Sequence, residues 1–238
     1  MQNDKINLSL IIPIGLMLFS FFFGAGNLIF PPVLGQMAGE NISWGMLGFC
    51  LSGVGFPLLG VLAMAMKQSD NPDSIAMPMH PLYARAVTIL CALAIGPLFA
   101  IPRTAAVSFD TGIHSLLPAS CEAIGLPVYT VFFFILTYFF SINPSKIIGH
   151  IGKFLSPMLL ICLAVLVVCV FVNPTGSLKM PNPDFAASPF FRGFQEGYNT
   201  MDLLAAILFG SITIKAIEAQ GITDKKVLTK LCSYAGLI

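Results

Sequence analysis

Phe21-Phe-Phe-Gly-Ala-Gly-Asn-Leu-Ile-Phe-Pro-Pro32 is the stretch that decides how this chain folds. It sits inside an apolar run covering residues 8–37, longer than the roughly 20 residues a helix needs to cross a bilayer core. Gly24 and Gly26 each lower helix propensity by about 1 kcal/mol, and Asn27 follows at once, so the sequence predicts a broken helix. In hydrocarbon, unwound backbone is tolerated only where it faces protein or a cavity; the break should therefore line a site. The N–H groups of Ala25, Gly26 and Asn27 begin a second half-helix and suit an anion such as a carboxylate, helped by the helix dipole. Carbonyls at the end of the first half, Phe22 to Gly24, suit a hard cation, and the Asn27 side-chain oxygen can join them. Pro31 and Pro32 would shape the second half-helix or its end. A glycine notch for close helix packing is the alternative reading.

The rest of the 238 residues has the same character. Hydrophobic residues make up 56% and charged residues 10%, against roughly 25% charged in an average soluble domain. This composition excludes a water-soluble enzyme, a disordered tail and a disulfide scaffold, and the net charge of +1 gives no basic surface for nucleic acid. Further apolar runs cover 44–66, 82–109, 126–142, 154–173 and 194–218, and a last one begins at 227 and is still apolar at Ile238. These are too long and too uniformly apolar for barrel strands. The expectation is an all-α polytopic membrane protein forming a single transmembrane domain over 1–238, with no soluble domain. The last run would cover only about 18 Å of a ~30 Å core, so we expect the N-terminal part of a longer protein; an interfacial last segment is the alternative.

Lysine and arginine set the orientation. With the N-terminus in the cytoplasm, Lys5, Lys67, Arg85, Lys146, Lys153, Lys215, Lys225, Lys226 and Lys230 lie inside, and Lys179 and Arg192 outside. The outer loop 174–193, rich in proline, reads as an extended cover. The first run is too long for a signal peptide, lacks a cleavage site and is followed by others. Five of the six cysteines lie within apolar runs, with no zinc spacing. His80, His114 and His150 share no spacing. Neither a phosphate-binding loop nor a catalytic motif occurs.

A second interruption is Gly193-Phe-Gln-Glu-Gly-Tyr-Asn-Thr-Met-Asp202, ahead of Leu203-Leu-Ala-Ala-Ile-Leu-Phe-Gly210. Glu196, Asn199, Thr200 and Asp202 crowd the outer part of a span, and acidic groups at depth are functional by default. Gly197 lets the helix open, Asn199 and Thr200 can place oxygens on an ion or substrate, and Asp202 can cap a half-helix starting at Leu203. Alternatively the span starts at Met201 and 193–200 is loop. Breaks in the first and sixth spans are the pattern of a five-helix inverted-repeat transporter. Arg103, deep in the third span, needs an interior partner; Asp110, two turns on, is a distant one. Its readings are an outer gate, a substrate-carboxylate anchor, a structural ion pair or snorkelling to the surface. Pro97 and Pro102 would kink this span.

The strings FFFGAGNLIFPP, Gly96-Pro-Leu-Phe-Ala-Ile-Pro-Arg-Thr-Ala105 and Glu196-Gly-Tyr-Asn-Thr-Met-Asp202 resemble the branched-chain amino acid:cation symporter family (LIVCS). The resemblance covers the whole chain and implies a multi-pass protein of a bacterial-type plasma membrane. It implies the first five-helix repeat of a LeuT-like fold plus a broken sixth helix and part of a seventh. The implied activity is alternating-access import of leucine, isoleucine and valine by symport with Na⁺ or H⁺, without an organic cofactor and without enzymatic chemistry. The implied partners are the amino acid, the bilayer and a C-terminal half of the same transporter. Carried over by position, Gly24, Ala25, Gly26, Gly197, Tyr198, Asn199 and Thr200 meet the substrate. Phe22, Gly24, Asn27 and Thr200 meet the ion, while Arg103, Asp110, Glu196 and Asp202 are gate or proton-linked candidates. Phe30, Phe99 and Phe209 are candidates for the aliphatic pocket. A truncated, non-transporting membrane subunit is the competing reading.

Overall fold

A computed structural model describes residues 8–118, 122–142, 156–173, 177–222 and 224–237. Lys5, Cys121, Lys146, His150, Lys153 and Ile238, used in the readings above, lie outside the described residues. The described residues are mostly helical and contain no strand. The first span is α1 (Leu8–Phe22) and α2 (Ala25–Ala38), separated at Phe23 and Gly24. The second joins α3 (Ile42–Cys50) to α4 (Phe56–Lys67) through a π turn at 51–55. The third joins α5 (Pro81–Leu93) to α6 (Ala100–Gly112). Then come α7 (Glu122–Ser141), α8 (Ser156–Val172), the short α9 (Pro183–Ala187), α10 (Pro189–Asn199), α11 (Asp202–Glu218) and α12 (Lys225–Gly236).

Three helical stretches among the described residues are long and apolar enough to cross a membrane: Ala25–Lys67, Pro81–Gly112 and Ile124–Ser141. The first of these turns at Gly39, whose φ of +49° is a left-handed value that favours glycine; a Cβ there would also strike the Lys179 carbonyl oxygen. Beyond that turn α3 packs back on α2 through Leu34, Ala38 and Phe49. The helices α10 and α11 make a further apolar pair, bent by 43°.

Two expectations change here. The sixth span does not open at Gly197: α10 is helical from Pro189 through Asn199, and the break is Thr200–Met201. The stretch 193–199 is accordingly helix and not loop, and the segment 177–193 carries α9 as well as extended chain. Gly197 serves packing instead. A Cβ on it would collide with the Ser52 hydroxyl and the Phe49 carbonyl, and one on Gly193 with the Gly45 carbonyl. Gly45 and Gly48 of α3 and Gly193 and Gly197 of α10 thus bring two backbones together, as small residues do between helices in lipid. Ser52 pins the pair by donating to Phe194 O at 2.6 Å. Gly193→Ala is expected to wedge α3 from α10 and lower stability by about 1–3 kcal/mol, the usual cost of overpacking. The thermal midpoint of the detergent-purified protein measures this; a wild-type midpoint would contradict the close approach.

The half-helix α11 packs on α4, and α12 lies against α1 and α4 around Ile14, Met64, Ile214, Ile217 and Leu231. Ser156 of α8 hydrogen-bonds Ser20 and donates to Leu16 O (3.2 Å), tying α8 to α1. Charged and polar loop residues gather at two opposite groups of helix ends. Lys215 pairs with Asp70 at 3.7 Å and Gln68 donates to Lys225 O, while Lys179 O accepts from Glu40 N and Arg192 pairs with Asp184 at 3.4 Å. The apolar side chains of α7 and α8 are mostly exposed, as a lipid-facing surface requires.

Candidate functional site at the meeting of the helix breaks

At the first break the backbone of Gly24 is extended (φ −105°, ψ −174°), and Asn27 closes the gap. Its amide nitrogen donates to Phe22 O at 2.5 Å, and its backbone N–H to Gly24 O at 3.1 Å. A carbonyl accepts only a donor, so Nδ2 must face Phe22 and Oδ1 points away from that bond. Pro31 and Pro32 do not end α2, which runs on to Ala38. Lacking N–H, they leave the Asn27 and Leu28 carbonyls without their usual helical partners.

At the second break Met201 holds a left-handed φ of +68° and is the residue preceding α11. Such a conformation in an L-residue other than glycine costs about 1–2 kcal/mol, so it persists only where packing holds it. Thr200 is buried; its hydroxyl donates to Gly197 O (2.8 Å) and accepts from Asp202 N (3.4 Å), spanning the break. Asp202 does not occupy the cap position that was one reading of it from sequence. It is the first residue of α11, the cap position being Met201; it is 9% exposed and sits where the positive end of a helix dipole favours an anion. Asn27 and Thr200 are the polar side chains beside its carboxylate, with the Arg103 guanidinium in electrostatic range.

The two breaks touch. A Cβ on the buried Gly26 would lie 3.4 Å from the Thr200 Cα and 3.0 Å from Arg103 Nη2. A cavity of about 90 Å³ opens between them, lined by Phe22, Gly24, Asn27, Arg103, Thr200 and Asp202 among others. The third span contributes Ile95, Ala100 and Thr104. That span is itself interrupted: Gly96 has ψ −118°, and residues 94–98 form a π turn. Pro97 marked the kink in advance, whereas Pro102 lies inside α6 without breaking it. A larger cavity, about 390 Å³, lies behind the first break, walled by Leu18, Phe49, Val54 and Val61. Phe22, Asn27 and Asp202 line both cavities and so stand between them.

Arg103 is half-buried and does not pair with Asp110. It donates from Nη1 to Asn199 O (2.8 Å) and from Nη2 to Thr200 O (3.2 Å), with its guanidinium carbon 5.4 Å from the centre of the Phe30 ring. Asp110 is exposed near the far end of α6. Tyr198, Asn199 and Glu196 lie on α10 outside the cavity lining, where Asn199 donates to Glu196 at 3.4 Å. Ala25 lines the small cavity. Among the aromatic candidates, Phe209 lines the cavity and packs on Phe21 and Phe22, while Phe99 is exposed. Sequence reasoning missed Thr104 and Ser52, single hydroxyls in apolar runs that carry no local signal.

A helical bundle with several long apolar helices and a polar site at interrupted ones defines an all-α polytopic membrane protein. The chain belongs to the branched-chain amino acid transport protein family, whose pattern it matches over residues 7–238. The branched-chain amino acid permease BrnQ of Bacillus subtilis is 44% identical over 237 residues, all of this chain and 54% of the relative. The permease BraB of the same organism is 42% identical, covering 95% of this chain and 51% of the relative. The branched-chain amino acid transport system 3 carrier protein of Pseudomonas aeruginosa is 39% identical, covering 96% and 52%. These relatives are permeases and carriers by name, not enzymes. The chain spans about half the length of the curated relatives it matches. No solved structure matches it.

Proposed function

We propose that this chain carries the substrate and cation site of a secondary transporter that imports leucine, isoleucine and valine by symport with Na⁺ or H⁺. The observation that carries the reading is the contact of two half-helix breaks at Gly26 and Thr200, with Asn27 and Asp202 facing the space between. A zwitterion needs donors for its carboxylate and acceptors for its ammonium. The start of α2 supplies free N–H groups and the end of α10 supplies carbonyls. Asn27, Thr200 and the Phe22 and Gly24 carbonyls are neutral oxygens suited to Na⁺, and Asp202 is a carboxylate able to carry a proton. Alternating access would rock one set of helices about the breaks, as in LeuT-like inverted repeats. The pairing of α10–α11 with α3–α4 and of α1 with α12 is consistent with that plan. The segregation of basic residues favours a cytoplasmic N-terminus in a bacterial plasma membrane.

The test uses the whole reading frame that contains this chain, in proteoliposomes, following initial uptake of radiolabelled leucine. Replacing Na⁺ by choline, and separately collapsing the pH gradient, should identify one driving ion by a loss of about tenfold or more, the scale of a lost differential binding of ~1.4 kcal/mol. Uptake indifferent to both treatments would overturn symport.

A further inference from the structure

Arg103 occupies the acceptors that the transport reading assigns to an ammonium. The carbonyls of Asn199 and Thr200 end α10, where the helix dipole is negative, and both are taken by its guanidinium, at 2.8 and 3.2 Å. The fit is tight, since Gly26 leaves only enough room for Nη2: an added Cβ would stand 3.0 Å from it. The Phe30 ring supports the cation from one side at 5.4 Å. The fork is nevertheless incompletely satisfied. Arg103 Nε is buried and has no hydrogen-bond partner among the described residues, an arrangement that costs free energy and that a purely structural arginine would avoid. The side chain also stands on α6 just beyond the kink at Gly96, a hinge able to carry it away from α10. An amino-acid ammonium and a guanidinium are both permanent donors with no acceptor of their own, so the two carbonyls cannot serve both fully.

We propose that Arg103 is a tethered stand-in for the substrate's ammonium: it holds the break carbonyls when the site is empty and must release them for the amino acid to bind. This rests on the transport reading, and it reverses the role of carboxylate anchor that sequence allowed. It makes Arg103 a competitor of one end of the substrate only. Loss of the competitor should tighten ligands that carry the ammonium and leave those without it unchanged.

Equilibrium binding of leucine, 3-methylbutylamine (no carboxylate) and 4-methylpentanoate (no ammonium) to the protein of the whole reading frame in nanodiscs tests this. In Arg103→Gln, leucine and the amine should bind about tenfold tighter, the effect of ~1.4 kcal/mol of lost competition, and 4-methylpentanoate should not change. Arg103→Lys keeps a cation but not the two-pronged fork, so it should give the same order of ligands with a smaller gain, and it serves should the glutamine variant fail to insert. Weaker binding of leucine and 4-methylpentanoate with the amine unchanged would make Arg103 a carboxylate anchor and overturn the proposal. Equal shifts for all three ligands would reduce it to a structural residue. Unaltered leucine affinity in both variants would sink the proposal and spare the transport reading. Absence of leucine binding to the wild type would remove both.

Discussion

Asn27→Ala is expected to abolish cation-driven leucine uptake while leaving membrane insertion intact. Asn27 closes the first break through its bond to Phe22 O and turns its remaining amide groups toward Asp202 and the cavity. Truncation removes one neutral oxygen from the proposed ion site. It also removes the only side-chain donor that the described residues aim at Phe22 O across the gap, freeing the ends of α1 and α2 to shift. Removing a group that supports a bound cation typically costs about 10–100-fold in affinity, so at cation concentrations that just saturate the wild type the driven uptake should fall to background. The insertion prediction follows from the position of Asn27 at an irregular backbone and not in an apolar helix face. Initial uptake rates across a cation series, with size-exclusion profiles as the control, measure both. A wild-type cation dependence in this variant would contradict the ion assignment.

Asp202→Asn should reduce concentrative uptake by about 100-fold, and Asp202→Glu should retain a measurable fraction. Asp202 is the only buried carboxylate among the described residues, and Arg103 is the cation facing it. With the carboxylate neutralised, that guanidinium and any bound cation lose their counter-charge. An unbalanced charge at depth costs about 2.5–3.5 kcal/mol on insertion scales, and every 1.4 kcal/mol is a factor of ten. Glutamate restores the charge at a displaced position. Uptake measured under a Na⁺ gradient and under a pH gradient reads the effect for either coupling ion. Wild-type accumulation by Asp202→Asn under both gradients would remove Asp202 from the site.

The first break was legible because Gly24, Gly26 and Asn27 act locally on backbone propensity, whatever surrounds them. The second was legible only as a region. Gly197 looked like its hinge because a glycine in a polar stretch weakens a helix; it proves to be a contact glycine, forced by the Phe49 carbonyl and Ser52 of a helix far away in sequence. The actual break, at Met201, has no glycine to announce it. Arg103 was visible as a charge needing a partner. Its partner was not, because backbone carbonyls carry no residue identity and nothing in a sequence marks which ones are free.

Composition, run length and the small set of helix-breaking residues gave away the membrane class and the existence of interruptions near Gly24 and near Thr200, since each depends on the chain's own neighbourhood and on the cost of polar groups in hydrocarbon. Which residues meet was decided only in three dimensions: Gly26 against Thr200, Arg103 on the last carbonyls of α10, Gly193 against Gly45. The helices α8 and α11 are nearly as apolar on one side as on the other, so no periodic pattern in them tells which side turns inward. That choice belongs to the close fit between helices distant in sequence.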